Sequence, residues 1–181
     1  MPFFETPISG LIIFEPKVLT DERGYFFESY NRRSWEEAGV SAHFVQDNQA
    51  RSTRGVLRGL HYQCGDMAQA KLVRVVEGEV LDVVVDIREG SVTYGQWYGV
   101  LLSAENKRQL FVPKGFAHGY VVLSETAEFF YKCDNFYARE QEGGIRFDDP
   151  SLNIDWAIDL NQAIVSEKDK ALPLFGRHRG C

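Results

Sequence analysis

Short runs rich in Val, Leu, Phe and Tyr recur along the chain, separated by Gly, Pro, Asp and Asn at strand-like intervals, and this pattern predicts a mostly β protein. The expected strands are Tyr25–Tyr30, Phe44–Arg51, Val56–Gln63, Lys71–Val76, Glu79–Ile87, Gln96–Ser103, Gln109–Val112, His118–Leu123 and Glu128–Cys133. Glu77-Gly78, between the fourth and fifth, predicts a tight hairpin because glycine supplies the positive φ that primed turns need. Within Glu79–Ile87 the positions Leu81, Val83, Val85 and Ile87 form one apolar face. The other face alternates Val80 and Val84 with Asp82 and Asp86, so this strand is expected to line something polar. Helix signals are few. Ser34-Trp35-Glu36-Glu37 has the spacing of a capping box, and Ser166–Ala171 predicts one further short helix. With no repeat, low-complexity run or linker, residues 1–181 are expected to form a single antiparallel sandwich or barrel, and a jelly roll suits the length.

Composition narrows the function. The 44% hydrophobic and 25% charged residues of the 181-residue chain match one soluble globular domain. Lys and Arg number 20 against 26 Asp and Glu, a formal charge of -6, so no basic field exists to gather nucleic acid. An anionic small ligand would need Arg and Lys concentrated in one pocket. Cys64, Cys133 and Cys181 are an odd set without CxxC spacing, so neither a disulfide framework nor a cysteine zinc site is expected. A reducing compartment, the cytoplasm, fits that reading. The apolar run Leu11 to Phe14 is too short for a signal peptide, and no stretch approaches the roughly 20 apolar residues of a membrane span.

Charged residues in such a chain are ordinarily solvated surface, so those inside apolar strand patterns carry more information. In Val56-Leu57-Arg58-Gly59-Leu60-His61-Tyr62-Gln63, an Arg and a His interrupt a buried-looking strand. Strict alternation puts them on opposite faces, so both reach one pocket only if the strand is irregular; Gly59 between them can host a bulge. Lys71 shares a face with Val73 and Val75, where it either serves a site or snorkels from a strand edge. In Pro113-Lys114-Gly115-Phe116-Ala117-His118-Gly119-Tyr120, Pro and Gly shape a turn that delivers His118 at the start of a strand. Together these segments resemble the two-motif pattern of the cupin superfamily, whose metal-binding members carry an HxH pair followed by PxGxxH. Pro113, Gly115 and His118 supply the second motif. The first is broken, because Tyr62 and Gln63 follow His61 where a second histidine would be needed. Two histidines without a third ligand make a poor transition-metal site, so no metal is expected.

Along nearly its whole length the chain is similar to the dTDP-4-dehydrorhamnose 3,5-epimerase family. The blocks that carry the likeness are Asp21 to Tyr30 (DERGYFFESY), Phe44 to Asn48 (FVQDN), Val56 to His61 (VLRGLH), Gly95 to Trp97 (GQW), Leu102 to Gln109 (LSAENKRQ), Pro113 to Gly119 (PKGFAHG) and Tyr131-Lys132. The resemblance implies a cupin-type double-stranded β-helix with a few short helices, and it implies roles residue by residue. His61 would be the catalytic base, paired with Asp169; Tyr131 would be the opposing acid, and Lys71 would sit near the substrate carbonyl oxygen. Tyr137 matches the aromatic residue that stacks on thymine, and Arg23, Glu28, Gln46, Asp47, Asn48, Arg58, His118, Glu142 and Lys168 match nucleotide or sugar contacts. In the family some contacts from Arg23 to Glu28 reach the neighbouring subunit's ligand, which implies a homodimer. Leu174 to Cys181 match nothing in the pattern.

The implied substrate is a 4-keto-6-deoxy sugar on a dTDP carrier. Its C3 and C5 protons are acidic only through the C4 ketone, and removing one leaves an enolate whose charge collects on O4. Such chemistry needs a base for carbon, a cation or donor near O4, and an acid on the opposite face. An imidazole, ordinarily titrating near pH 6.5, suits the first task, and a carboxylate partner fixes its tautomer. A lysine near O4 places positive charge where negative charge develops. The ketone is itself the electron sink, so no cofactor is implied, and Arg58, Arg23 and Lys168 would answer the diphosphate. Other readings are an epimerase acting at C3 or C5 only, a 3,4-ketoisomerase, a non-catalytic nucleotide-sugar-binding cupin, and a metal-dependent oxygenase.

Overall fold

Alternation of apolar side chains over both faces of most strands forces two sheets to stack and their outer faces to be covered. The computed structural model describes residues 2–181. In chain order the strands are β1 (Phe3–Glu5), β2 (Ile12–Phe14), β3 (Leu19–Asp21), β4 (Gly24–Phe26), β5 (Gln46–Thr53), β6 (Val56–Gln63), β7 (Lys71–Glu77), β8 (Glu79–Asp86), β9 (Trp97–Ser103), β10 (Gln109–Val112), β11 (Phe116–Val122), β12 (Thr126–Cys133), β13 (Glu142–Gly144) and β14 (Ile164–Val165). Two short helices, α1 (Arg32–Glu37) and α2 (Glu167–Lys170), accompany them. One sheet runs β1-β2-β10-β7-β12-β5, and the other runs β13-β6-β11-β8-β9 with β14 parallel to β6. The remaining pairs are antiparallel, and the whole is the expected jelly roll.

Three apolar clusters hold the layers together. Val73, Val75, Val80, Val84, Leu102, Leu110, Val122 and Phe129 fill the space between the sheets. The outer face of the second sheet, with Val83, Val85 and Ile87, lies beneath Ile145, Phe147, Leu152 and Trp156. Trp35 of α1 packs with Phe14, Leu72 and Phe111 over the outer face of the first. The two faces of β8 therefore serve different clusters, and Asp82, on the inward face, meets His118 in place of solvent.

Several expectations need correction. Residues Glu77 and Gly78 form no hairpin, because β7 and β8 belong to different sheets and the chain crosses between them at Gly78. The glycine is still required: its φ is +75°, and a Cβ there would lie 2.0 Å from the Thr126 carbonyl oxygen. The predicted strand Tyr25–Tyr30 is only Gly24–Phe26, paired with β3 as an isolated, exposed hairpin. The first helix is capped by Asn31, whose side chain accepts the Arg33 N–H at 3.0 Å, so Ser34 lies inside the helix rather than at its cap. The strands β1, β2, β3, β13 and β14 were not expected from the pattern, being two or three residues long.

The cysteine reading is overturned as well. Cys64 and Cys181 form a disulfide with Cα atoms 5.0 Å apart, leaving only the buried Cys133 free. Odd parity argues against a framework of many bridges but leaves a single pair open, and the tertiary fold here carries residue 181 to the end of β6. Closing a loop on the order of 100 residues stabilises by up to about 4.7 kcal/mol in the chain-entropy account. Accordingly, Cys181→Ser is expected to lower Tm by several degrees. A thiol reductant should bring the wild-type protein to the same Tm and leave the variant unmoved, as read by scanning calorimetry.

Candidate active site

A cavity of about 590 Å³ opens between the sheets. Strands β6 and β11 of one sheet bring Arg58, His61 and His118 to it, while β7 and β12 of the other bring Lys71 and Tyr131. Arg58 and His61 share this cavity because β6 is irregular where the spacing demanded: the register against β11 shifts between His118 and Tyr120, opposite Arg58 and His61. Gly59 has φ +128°, and a Cβ on it would lie 2.6 Å from the Gly119 Cα, so two glycines let the backbones meet there.

His61 Nε2 lies 2.7 Å from Asp169 Oδ1, and the Gly59 N–H donates to Asp169 Oδ2 at 3.2 Å. Ser166 caps α2 by accepting the Asp169 N–H at 3.1 Å, so the residue that starts the helix also fixes where the carboxylate sits. Burial alone would raise the Asp169 carboxyl; hydrogen bonds from His61, the Gly59 amide and Ser166 outweigh it and hold the group below the usual carboxylate range. The carboxylate thus stays ionised and leaves the other imidazole nitrogen free to take a proton.

On the facing wall, the Lys71 ammonium lies 5.9 Å from the centre of the Tyr131 ring. Lys71 lines the cavity and is partly buried. Burial therefore lowers its pKa, with Cys133, Asp82 and Glu142 pulling the other way. Burial pushes the Tyr131 phenol up to about 12, so it remains a proton donor across the physiological range. If Lys71 must be cationic for turnover, kcat should fall on the alkaline side below the ordinary lysine value of 10.5 and before Tyr131 ionises. A pH profile of kcat checks this, and Lys71→Arg should move the alkaline limb upward.

His118 Nε2 lies 2.9 and 3.0 Å from the two Asp82 oxygens, and both side chains are buried. Burial raises the Asp82 carboxyl, opposed by His118 and Lys71. Arg58 donates from Nε and Nη2 to Ser52 Oγ at 3.2 and 3.1 Å. At the mouth, Lys168 Nζ donates to both Glu142 oxygens at 2.8 and 2.7 Å, and the Tyr137 hydroxyl donates to Glu142 Oε2 at 3.2 Å. Gln46 accepts the Tyr137 N–H at 3.2 Å and donates to Asn48 Oδ1 at 3.1 Å, which ties the start of β5 to the same cluster.

Three expected ligand contacts lie elsewhere in the chain's own structure. Asp47 points to the opposite face of β5 and pairs with Lys132 at 3.0 Å. Arg23 stands exposed at the β3–β4 turn, paired with Asp21, and Glu28 borders a separate cavity with Phe3, Phe14 and Trp35. Conversely, the residue reading missed Ser52, Tyr120, Phe129 and Ser166. Tyr120, two residues beyond His118 on the same face, was the most accessible of these. Its ring stacks on Phe129 with centroids 4.1 Å apart, and its buried hydroxyl has no hydrogen-bond partner. Among the described residues no three His, Cys, Asp or Glu side chains are grouped to hold a metal ion, and each cavity histidine is tied to one carboxylate. Nor is any helix among them long and apolar enough to cross a membrane.

The geometry has parallels in known proteins. A family model described as dTDP-4-dehydrorhamnose 3,5-epimerase matches residues 5–177, stopping short of Arg179 and Cys181. The dTDP-4-dehydrorhamnose 3,5-epimerase of Shigella flexneri is 57% identical over 170 residues, covering 93% of each chain. The crystal structure of the dTDP-6-deoxy-D-glucose-3,5-epimerase of Legionella pneumophila Philadelphia 1, in complex with dTDP-4-keto-L-rhamnose, is similar with a TM-score of 0.92. It is 53% identical, with 97% of this chain and 93% of that one covered. A 3'-monoepimerase from Streptomyces bikiniensis, in complex with dTDP-quinovose, has a TM-score of 0.89 at 34% identity, over 94% of this chain and 86% of the other.

Proposed function

The chain belongs to the dTDP-4-dehydrorhamnose 3,5-epimerase family, and from that premise we infer that it converts dTDP-4-dehydro-6-deoxy-D-glucose to dTDP-4-dehydro-L-rhamnose in dTDP-L-rhamnose synthesis. The observation that carries the mechanism is the placement of the His61–Asp169 pair and the Tyr131 phenol on opposite sheets around one cavity. His61 takes the proton from the carbon beside the ketone, and Asp169 stabilises the imidazolium that results. Charge moving onto O4 meets the Lys71 ammonium, whose buried charge is costly without a partner and gains one as the enolate forms. Tyr131 then delivers a proton from the far wall, which inverts the centre. Arg58, steadied by Ser52, faces the diphosphate, and Tyr137, Glu142 and Lys168 meet the nucleotide at the mouth.

Turnover in deuterium oxide tests this directly: the sugar recovered should carry deuterium at both C3 and C5 with both centres inverted. Label and inversion at one position alone would make the protein a monoepimerase, and label at neither would end the proton-transfer reading.

The protein acts, on this reading, as a homodimer. The β3–β4 hairpin projects Tyr25 and Phe26, 63% and 68% exposed, with Arg23 at its turn, and an aromatic arm so bare is what a second copy would cover. It also accounts for Arg23 lying away from its own cavity. Light scattering should give a dimer mass. Mixing His61→Asn with Arg23→Ala subunits should restore activity above that of either variant, because one site in each mixed dimer keeps both residues.

A further inference from the structure

The segment beyond α2 folds back over the end of β6 and is fastened there at several points. The Tyr62 hydroxyl donates to the Arg179 carbonyl oxygen at 2.7 Å, and Cys181 is bonded to Cys64, the residue that follows β6. The Arg179 guanidinium donates at 2.7 Å to both the Glu140 carbonyl oxygen and Gln141 Oε1. Those two residues lead directly into Glu142, the carboxylate that receives Lys168 and Tyr137. Leu172, Pro173 and Arg179 border a cavity of about 310 Å³ together with His61, Glu142 and Lys168. This segment, whose last residues 178–181 lie beyond the family match, therefore braces the residues that lead into the mouth of the site.

We infer that Arg179 is a positioning residue for the nucleotide end of the substrate, acting through Glu142 and held in register by the Cys64–Cys181 bond. The inference rests on the reading of Tyr137, Glu142 and Lys168 as nucleotide contacts. Opening the bond needs a reductant: dithiothreitol gives up two electrons and two protons, leaving two cysteine thiols and its own cyclic disulfide. The freed tail then no longer holds Arg179 against Glu140 and Gln141, and the nucleotide-binding arrangement is populated for only part of the time. A site competent for one-fifth of the time binds about fivefold more weakly. The chemistry at C3 and C5 is carried by His61, Asp169, Lys71 and Tyr131, none of which the Arg179 guanidinium hydrogen-bonds, and does not depend on the brace.

Steady-state kinetics with dTDP-4-dehydro-6-deoxy-D-glucose, together with dTDP titrations, test this on the full chain. Arg179→Ala and Cys181→Ser should each raise KM and the dTDP Kd by about fivefold with kcat unchanged, and Arg179→Lys should recover part of the loss. Dithiothreitol should move the wild-type KM to that of Cys181→Ser and leave Cys181→Ser where it is. Equal KM values across wild type, variants and reduced protein would overturn the inference even if Tm fell, since the tail would then be only structural. Loss of kcat at constant KM would overturn it too. Absence of turnover and dTDP binding by the wild-type enzyme would instead sink the underlying reading.

Discussion

His61→Asn is expected to lower kcat by about a thousandfold, within the range that a positioned general base contributes, with dTDP still bound. The substitution is chosen for what it preserves. An asparagine N–H can still donate to Asp169, whose carboxylate is also held by the Gly59 amide, so the cavity wall keeps its shape and its buried charge keeps partners. What disappears is a nitrogen able to take a proton from carbon near neutral pH. Deuterium exchange at both C3 and C5 should disappear with it, because one base serves both positions. Near-normal kcat in the variant would remove His61 from the mechanism, and loss of dTDP binding in parallel with kcat would make the residue a binding group instead.

Tyr131→Phe should separate proton removal from inversion. Its ring lies 6.0 Å from Phe129 and 5.9 Å from the Lys71 ammonium, and phenylalanine retains both contacts. The phenol, held in its protonated form by burial, is lost. Inverted product should then form at least about a hundredfold more slowly, while His61, still paired with Asp169, continues to remove protons and return solvent deuterium to the same face. The expected signature is label without epimerisation in recovered starting sugar, read by NMR. A variant that loses exchange and inversion together, or that loses only affinity, would show that Tyr131 does not supply the second proton.

Much of the scaffold is written in the alternation itself. Val56–Gln63 and Gln109–Val112 form at their expected bounds because both faces of each are packed, and the need for a bulge at Gly59 follows from having Arg58 and His61 on one cavity. The Glu77–Gly78 reading fails because a left-handed glycine turns a chain equally well within a sheet or between sheets; the choice of partner lies in β10, β11 and β12, far along the sequence. The same holds for the disulfide, whose cysteines are separated by 117 positions. The catalytic constellation divides along this line as well. His61 and His118 announce themselves by interrupting apolar strands, whereas Asp169 sits in a charged, helix-forming segment that looks like ordinary surface. Its burial, at 4% exposure, comes from docking on β6 and is invisible locally.

That docking has a consequence for how the enzyme is made. A ribosome delivers residue 61 well before residue 169, and domains take shape from the N-terminal side during synthesis. Both sheets can therefore assemble while the imidazole still lacks its carboxylate. A nascent chain stalled before α2 would be a nearly finished barrel without a working base, and catalysis would switch on only when that one turn of helix emerged and docked against β6.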